Sequence, residues 1–203
     1  MTVKQFETFW ESTYPLSVPL SHHLRIDYAS RWFRIHSLPS SQRYPHDDAD
    51  WAILLNRQNA LISDLVGEGS KLFLLTGEYD FVSCIVQKWQ FSPHDVIKGL
   101  TFEELTPIEL DSLPIDQHVP DEYEPGDVYR NVVAEIDWCS NKHDEILKAI
   151  ASWEVVALLL SVEAKCIIAP YDGGIDIILK DTVTRDQYKE KYRDWLSSEE
   201  SGM

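Results

Sequence analysis

The spacing of hydrophobic residues along the chain predicts several helices. Between Asp47 and Gly67, apolar side chains recur every three to four residues, as in an amphipathic helix with an aspartate cap and a glycine stop. Segments 4–13, 141–152 and 184–197 show the same spacing over shorter lengths. The sequence therefore predicts three to four helices that pack on a sheet.

Alternating or β-branched segments predict the strands of that sheet. They are residues 31–36, 71–76, 81–89, 129–138, 155–162, 165–171 and 175–179. Gly77–Asp80 and Tyr171–Gly174 read as turns, with glycine supplying the positive φ of the second. Because strands follow strands more often than helices separate them, we predict an α+β fold with a mainly antiparallel sheet of five to seven strands.

The length and composition of the chain indicate that these helices and strands form one domain. A chain of 203 residues, 44% of them hydrophobic, is expected to form a single domain over residues 1–203, with one core that includes Leu55, Ile167 and Ile177. The three cysteines are far apart and lie in apolar surroundings, which indicates reduced, buried thiols. With no signal peptide and no long apolar run, the expected location is the cytoplasm.

The charge is concentrated in residues 101–127, a proline-punctuated excursion within the domain. This segment carries nine carboxylates and no lysine or arginine, in a chain of net charge −16. Nucleic acid and anionic membranes need the opposite sign, so neither is an expected partner. A basic protein is the expected partner, and the carboxylates expected to contact it are Glu103, Glu104, Asp121, Glu122 and Glu124.

A second group of residues suggests a polar site. The segment Arg31-Trp-Phe-Arg-Ile-His36, extended by Arg43, is basic and aromatic, and arginine forks suit carboxylate or phosphate. Its arginines would equally serve to neutralise the acidic segment, which is the interpretation we favour. Asp176 interrupts an apolar strand, where a charge needs a partner. Asp172 is explained as an ordinary turn residue.

Established catalytic motifs are absent from the sequence. There is no nucleophile elbow, no phosphate-binding glycine loop and no dinucleotide fingerprint. The seven histidines show no zinc spacing, and no calcium loop occurs. The sequence therefore predicts no metal and no cofactor.

The C-terminal part of the chain resembles a family of uncharacterised bacterial proteins. The relevant stretches are 143–150, Ile168-Ala-Pro-Tyr-Asp-Gly-Gly-Ile-Asp-Ile-Ile178 and the closing segment 188–196. That family has a Tyr-Asp-Asp-Arg-Gly-x-Asp-Ile/Val-Ile signature. Tyr171, Asp172, Gly174 and Asp176 match it, but its arginine has no counterpart here, so no anion-binding role of that arginine carries over. The resemblance implies a bacterial, intracellular origin.

Two functional hypotheses follow from the sequence. The first is a non-enzymatic acidic protein that binds a basic protein partner, in the manner of small bacterial immunity proteins. The alternative is a small enzyme with a site near Arg31, Arg34, His36 and Asp176. A pocket of about 300 Å³ or more around those side chains would favour the alternative. A flat acidic face would favour the first hypothesis. Oligomeric state is left open.

Overall fold

The computed structural model of the protein describes residues 3–20, 24–82, 92–113 and 123–196. Six α-helices lie in this part of the chain: α1 Val3–Thr13, α2 Leu24–Asp27, α3 Asp48–Val66, α4 Pro93–Val96, α5 Asp144–Ala151 and α6 Thr182–Lys191. The strands are β1 Trp32–His36, β2 Lys71–Asp80, β3 Glu103–Glu104, β4 Ile108–Glu109, β5 Val128–Asp137, β6 Ala157–Ser161, β7 Cys166–Pro170 and β8 Gly174–Ile178. None of the described helices is long and apolar enough to cross a membrane.

The eight strands form one antiparallel sheet, which confirms the α+β prediction. The strand order is β1-β8-β7-β6-β2-β5-β3, and β4 also pairs with β5. Strands β6, β7 and β8 are joined by short hairpins, whereas β1 reaches the sheet from an earlier part of the chain and pairs with β8. The register sets Arg34 directly opposite Asp176 and His36 opposite Gly174.

Each face of the sheet carries its own hydrophobic core, because successive side chains of a strand point to opposite faces. Helices α3, α5 and α6 cover one face, where the core includes Phe33, Ile35, Leu61, Ile62, Leu72, Leu74, Leu147, Ile150, Leu159, Ile168 and Ile177. Helices α1 and α2 cover the other, with Phe6, Trp10, Tyr14, Leu24, Tyr28, Phe73, Leu75, Leu158, Leu160 and Ile167. The prediction of one core containing both Ile167 and Ile177 was therefore wrong.

Strand β2 differs from its prediction. Residues 77–80 were predicted to form a turn, but β2 runs on without interruption to Asp80 and pairs with β5 over its whole length. Gly77 serves close packing here, because a Cβ atom at this position would collide with the carbonyl oxygen of Arg130 on β5. The predicted strand 81–89 falls almost entirely outside the described residues.

The acidic segment also differs from its prediction, because part of it belongs to the sheet. Strands β3 and β4 both pair with β5. With them, the described part of the chain contains eight strands, one more than the upper end of the predicted range. The apolar side chains that anchor this segment are buried: Leu105, Ile108, Leu110 and Leu113. Two four-residue helices, α2 and α4, were also unpredicted and raise the number of α-helices among the described residues to six. Both are too short for a periodic pattern to reveal them.

Candidate functional site

A cleft of about 660 Å³ lies among the described residues, at one end of the sheet. It is lined by β1 and the loop after it, by the end of β2, by the end of α5 and by β7, β8 and the turn between them. Its lining includes five charged side chains and one histidine: Arg25, Arg34, His36, Arg43, Asp172 and Asp176. Residues far apart in sequence meet here because β1 pairs with β8.

The wall of the cleft contains a two-pronged ion pair between Arg34 and Asp176. Nε and Nη2 of Arg34 donate to Oδ1 and Oδ2 of Asp176 at 2.7 and 2.8 Å, and the indole N–H of Trp32 donates to Oδ1 at 2.9 Å. The two charged side chains are only 12% and 16% exposed. Burial lowers the pKa of Arg34, but the hydrogen bonds and charge of Asp176 outweigh burial and raise it. The structure thus supplies the partner that Asp176 was expected to need.

Tyr171 packs beneath this pair. The Arg34 guanidinium lies 4.8 Å from the centroid of the Tyr171 ring, a cation–π arrangement. Burial raises the pKa of Tyr171 to about 12, so its hydroxyl stays protonated at neutral pH. The ring also packs against Gly173.

The turn between β7 and β8 needs glycine for a different reason than the sequence suggested. Neither Gly173 nor Gly174 has a positive φ. A Cβ atom on Gly174 would instead collide with the carbonyl oxygen of Ile35 on β1. Glycine therefore lets β1 and β8 approach closely at the rim of the cleft.

Asp172, explained from the sequence as a turn residue, holds Arg43 at the cleft. Nε of Arg43 donates to Oδ2 of Asp172 at 2.6 Å. The Asp172 side chain is completely buried, whereas that of Arg43 is 55% exposed. In the part of the chain that the structure describes, neither terminal amino group of Arg43 is hydrogen-bonded. The buried carboxylate therefore positions a half-exposed guanidinium whose terminal amino groups are left to bind another group.

His36 lines the cleft in surroundings that disfavour its charged form. It is half-buried, and its Nε2 atom is enclosed and has no hydrogen-bond partner among the residues that the structure describes. Burial lowers the pKa of His36, and the positive charges of Arg34 and Arg57 lower it further. His36 is therefore neutral at pH 7, able to donate from one ring nitrogen and accept at the other.

The lowered pKa of His36 predicts a pH-dependent contribution to stability. Since the unfolded chain binds the proton more readily, the folded state loses stability as the pH falls from about 6.5 through the folded pKa. We expect the His36→Gln variant to lose less thermal stability than the wild type between about pH 7.5 and pH 5. Melting curves at both pH values test this expectation. An equal loss in the two proteins would contradict it.

Two residues that line the cleft have strained backbones. Trp153 and Ser41 have φ values of 61° and 56°, and Ser40, next to Ser41, has 55°. The left-handed region costs a residue other than glycine about 1–2 kcal/mol. Five described residues besides glycine have a positive φ, and two of them, Ser41 and Trp153, line the cleft. Such strain is commonly found at ligand sites.

Not every arginine of the sequence island reaches the cleft. Arg31 packs over the rings of Tyr14 and Tyr28 and donates to the carbonyl oxygen of Lys180, so the structure separates it from Arg34 and His36. The expected neutralisation of the acidic segment by these arginines is wrong for the two that pair with aspartate. Arg34 binds Asp176 and Arg43 binds Asp172, both outside residues 101–127.

The carboxylates expected to contact a partner lie away from the cleft. Glu103 and Glu104 are exposed on β3, at the opposite edge of the sheet from β1. Glu124 is exposed in the loop before β5. Asp121 and Glu122 lie outside the described residues. Asp127, by contrast, is buried and accepts hydrogen bonds from the backbone N–H groups of Val82 and Glu124 at 2.8 Å, so it serves the fold.

Sequence reasoning missed Trp153, Arg25 and the role of Asp172. The sequence does contain a sign that Trp153 is unusual. The helical pattern before it ends at Ala151-Ser-Trp-Glu154, where the glycine that commonly ends a helix is missing. Arg25 lies in the short helix α2, which has no readable pattern. No group of three His, Cys, Asp or Glu side chains that could hold a metal occurs among the described residues.

Comparison with known proteins gives one match. No curated protein and no solved structure matches the chain. The family model described as "Domain of unknown function (DUF3885)" matches residues 20–200, a range that contains every residue lining the cleft. The chain therefore belongs to the DUF3885 family.

Proposed function

We propose that the protein binds a small organic anion in the cleft. Arg43 is the observation that carries this proposal: a buried carboxylate holds its Nε, while its side chain is 55% exposed and its terminal amino groups form no hydrogen bond among the described residues. A guanidinium presents parallel N–H donors that match the two oxygens of a carboxylate or phosphate. Because Asp172 already fixes Arg43, a ligand pays less to order this side chain.

The local charge of the cleft supports an anion. Three arginines and two aspartates line it, so its charged side chains are net positive in a chain of net charge −16. Charges beyond about 8 Å are screened at physiological salt, whereas those in the lining act directly on a ligand. The cleft thus attracts anions at short range although the molecule as a whole is acidic.

The size and the walls of the cleft support a small molecule. Its volume of about 660 Å³ falls within the roughly 300–1,000 Å³ of typical ligand sites. Val155, Val156, Ala169 and Pro170 add apolar lining suited to a hydrocarbon part of the ligand. This concavity around Arg34, His36 and Asp176 favours a small ligand over a protein partner at this place.

Substitution of Arg43 tests the proposal. We expect Arg43→Gln to weaken the binding of phenyl phosphate, measured by titration calorimetry, roughly 10- to 100-fold, since hydrogen bonds to a charged group contribute about 1.5–3 kcal/mol. Arg43→Lys keeps the charge beside Asp172 but loses the fork, so its affinity should fall in between.

Arg130 provides the matched control for this experiment. It also pairs with an aspartate, Asp80, and is 57% exposed, but it lies outside the cleft. Arg130→Gln should bind phenyl phosphate as the wild type does. Equal weakening in Arg43→Gln and Arg130→Gln, or no binding by the wild type, would refute the proposed site.

The acidic edge of the sheet supports a second candidate function, the binding of a basic protein by a non-enzymatic, cytoplasmic bacterial protein. Glu103 and Glu104 are exposed on β3, and among the described residues neither forms an ion pair. Exposed carboxylates of this kind steer a basic partner and raise its association rate. Asp121, Glu122 and Glu124 belong to the same hypothesis.

Neutralising these carboxylates tests the second candidate. With Glu103, Glu104, Asp121, Glu122 and Glu124 replaced by Gln or Asn, we expect the melting temperature to stay equal or rise slightly, because like charges no longer repel. Association with a basic partner recovered by pull-down should slow while dissociation hardly changes, as measured by surface plasmon resonance. A markedly lower melting temperature would show that the carboxylates are paired within the fold.

A further inference from the structure

Helix α5 ends in a motif that ordinarily contains glycine. The N–H of Trp153 donates to the carbonyl of Ile150 at 3.1 Å, and the N–H of Glu154 donates to the carbonyl of Ala149 at 3.0 Å. These two bonds define a Schellman motif, whose central residue adopts the left-handed conformation. Trp153 is that residue, with φ 61°. A bulky aromatic side chain thus occupies a position where the backbone favours glycine.

The fold gains little from this tryptophan. Trp153 is 55% exposed, so much of its surface stays in contact with water in the folded protein. The exposed ring lines the cleft. A residue that is strained, exposed and directed into a cavity is better explained by a ligand than by packing.

Trp153 also lies next to the proposed anion-binding group. The guanidinium carbon of Arg43 is 6.0 Å from the centroid of the Trp153 ring. A ligand whose acidic group is bound by Arg43 therefore has its adjoining part beside the indole. Aromatic rings pair favourably with tryptophan in offset or edge-on arrangements, and saturated rings lack this preference.

We infer that Trp153 is a stacking platform, and that the anion bound in the cleft carries a planar aromatic or heteroaromatic ring. This inference rests on the proposed function, because it concerns the rest of a ligand whose acidic group is bound by Arg43. The inference narrows the ligand to aromatic anions, whereas an anion site alone would not require a ring. Phosphate and carboxylate versions of such a ring share this chemistry.

A matched pair of phosphates tests the inference by titration calorimetry. Phenyl phosphate and cyclohexyl phosphate have the same acidic group and similar size, but only the first is planar. We expect the wild type to prefer phenyl phosphate by about two- to tenfold, the usual contribution of an aromatic pair. Trp153→Phe should keep this preference, and Trp153→Gly and Trp153→Asn should abolish it, since both replacements accept the left-handed conformation.

Stability measurements on the same variants separate a role in binding from a role in folding. Trp153→Gly should melt at the temperature of the wild type or above it, because glycine relieves the strained φ. Equal affinity of the wild type for the two phosphates would overturn the inference and leave the proposed function standing. A Trp153→Gly variant that melts at a much lower temperature yet still prefers phenyl phosphate would overturn the inference in the same way. If the wild type bound neither phosphate, the proposed function would fail, and this inference with it.

Discussion

Replacing Arg34 with alanine should cost about 3–5 kcal/mol of unfolding free energy, the range for removing one partner of a buried ion pair. The loss arises because Asp176, only 16% exposed, would keep its charge, and among the described residues the Trp32 N–H would be its remaining hydrogen-bond donor. Urea unfolding measures the change. Few other single substitutions in the cleft should have as large an effect.

The control for this prediction is the exposed pair between Arg130 and Asp80. Both side chains are more than half exposed, so Arg130→Ala should cost no more than about 1 kcal/mol. The double variant Arg34→Met with Asp176→Leu should recover much of the stability lost in Arg34→Ala, because it leaves no unpaired charge. A loss below about 1 kcal/mol in Arg34→Ala would show that water already screens the Arg34–Asp176 pair.

Replacing Ile177 with alanine should cost about 2–5 kcal/mol, the usual range for a large aliphatic side chain in a core. Ile177 is fully buried on β8, where it lies opposite Phe33 of β1 and Ile168 of β7. The change would open a cavity directly behind the strand that carries Asp176. Urea unfolding is again the measurement.

Two further variants should lose less stability than Ile177→Ala and serve as comparisons. Ile177→Val should cost only about 0.5–1.5 kcal/mol, since it removes one methyl group. Leu55→Ala should cost less than Ile177→Ala, because Leu55 is half-buried and packs at the edge of the core. A urea midpoint that Ile177→Ala left unchanged would contradict the placement of β8 in the sheet.

The sequence predicted the long elements well, because their patterns repeat. The helix between Asp47 and Gly67 is confirmed, with the Asp47 side chain accepting from the N–H of Asp50 and Gly67 ending it. Strand β5 was predicted within one residue at each end. Strands β3 and β4 were missed because two residues are too few to show alternation, and their pairing with β5 is set by tertiary structure.

The candidate site could be predicted only in part. Alternation within β1 put Arg34 and His36 on one face, and an unpaired charge in an apolar strand drew attention to Asp176. The pairing of β1 with β8 brings together residues that are 142 positions apart in the sequence, such as Arg34 and Asp176. No local sequence pattern reveals a contact of this kind. The buried state of Asp172 was likewise invisible, because aspartate is common in exposed turns.

Mapping a bound anion by NMR tests the central claim most directly. In a titration of the full chain with phenyl phosphate, the account predicts saturable shifts of the backbone amides of Asp172 and Gly173 and of the indole N–H of Trp153. The amides of Glu103 and Glu104, at the other edge of the sheet, should not move. Saturable shifts confined to that acidic edge, or none at the cleft, would contradict the assignment of the cleft as an anion-binding site.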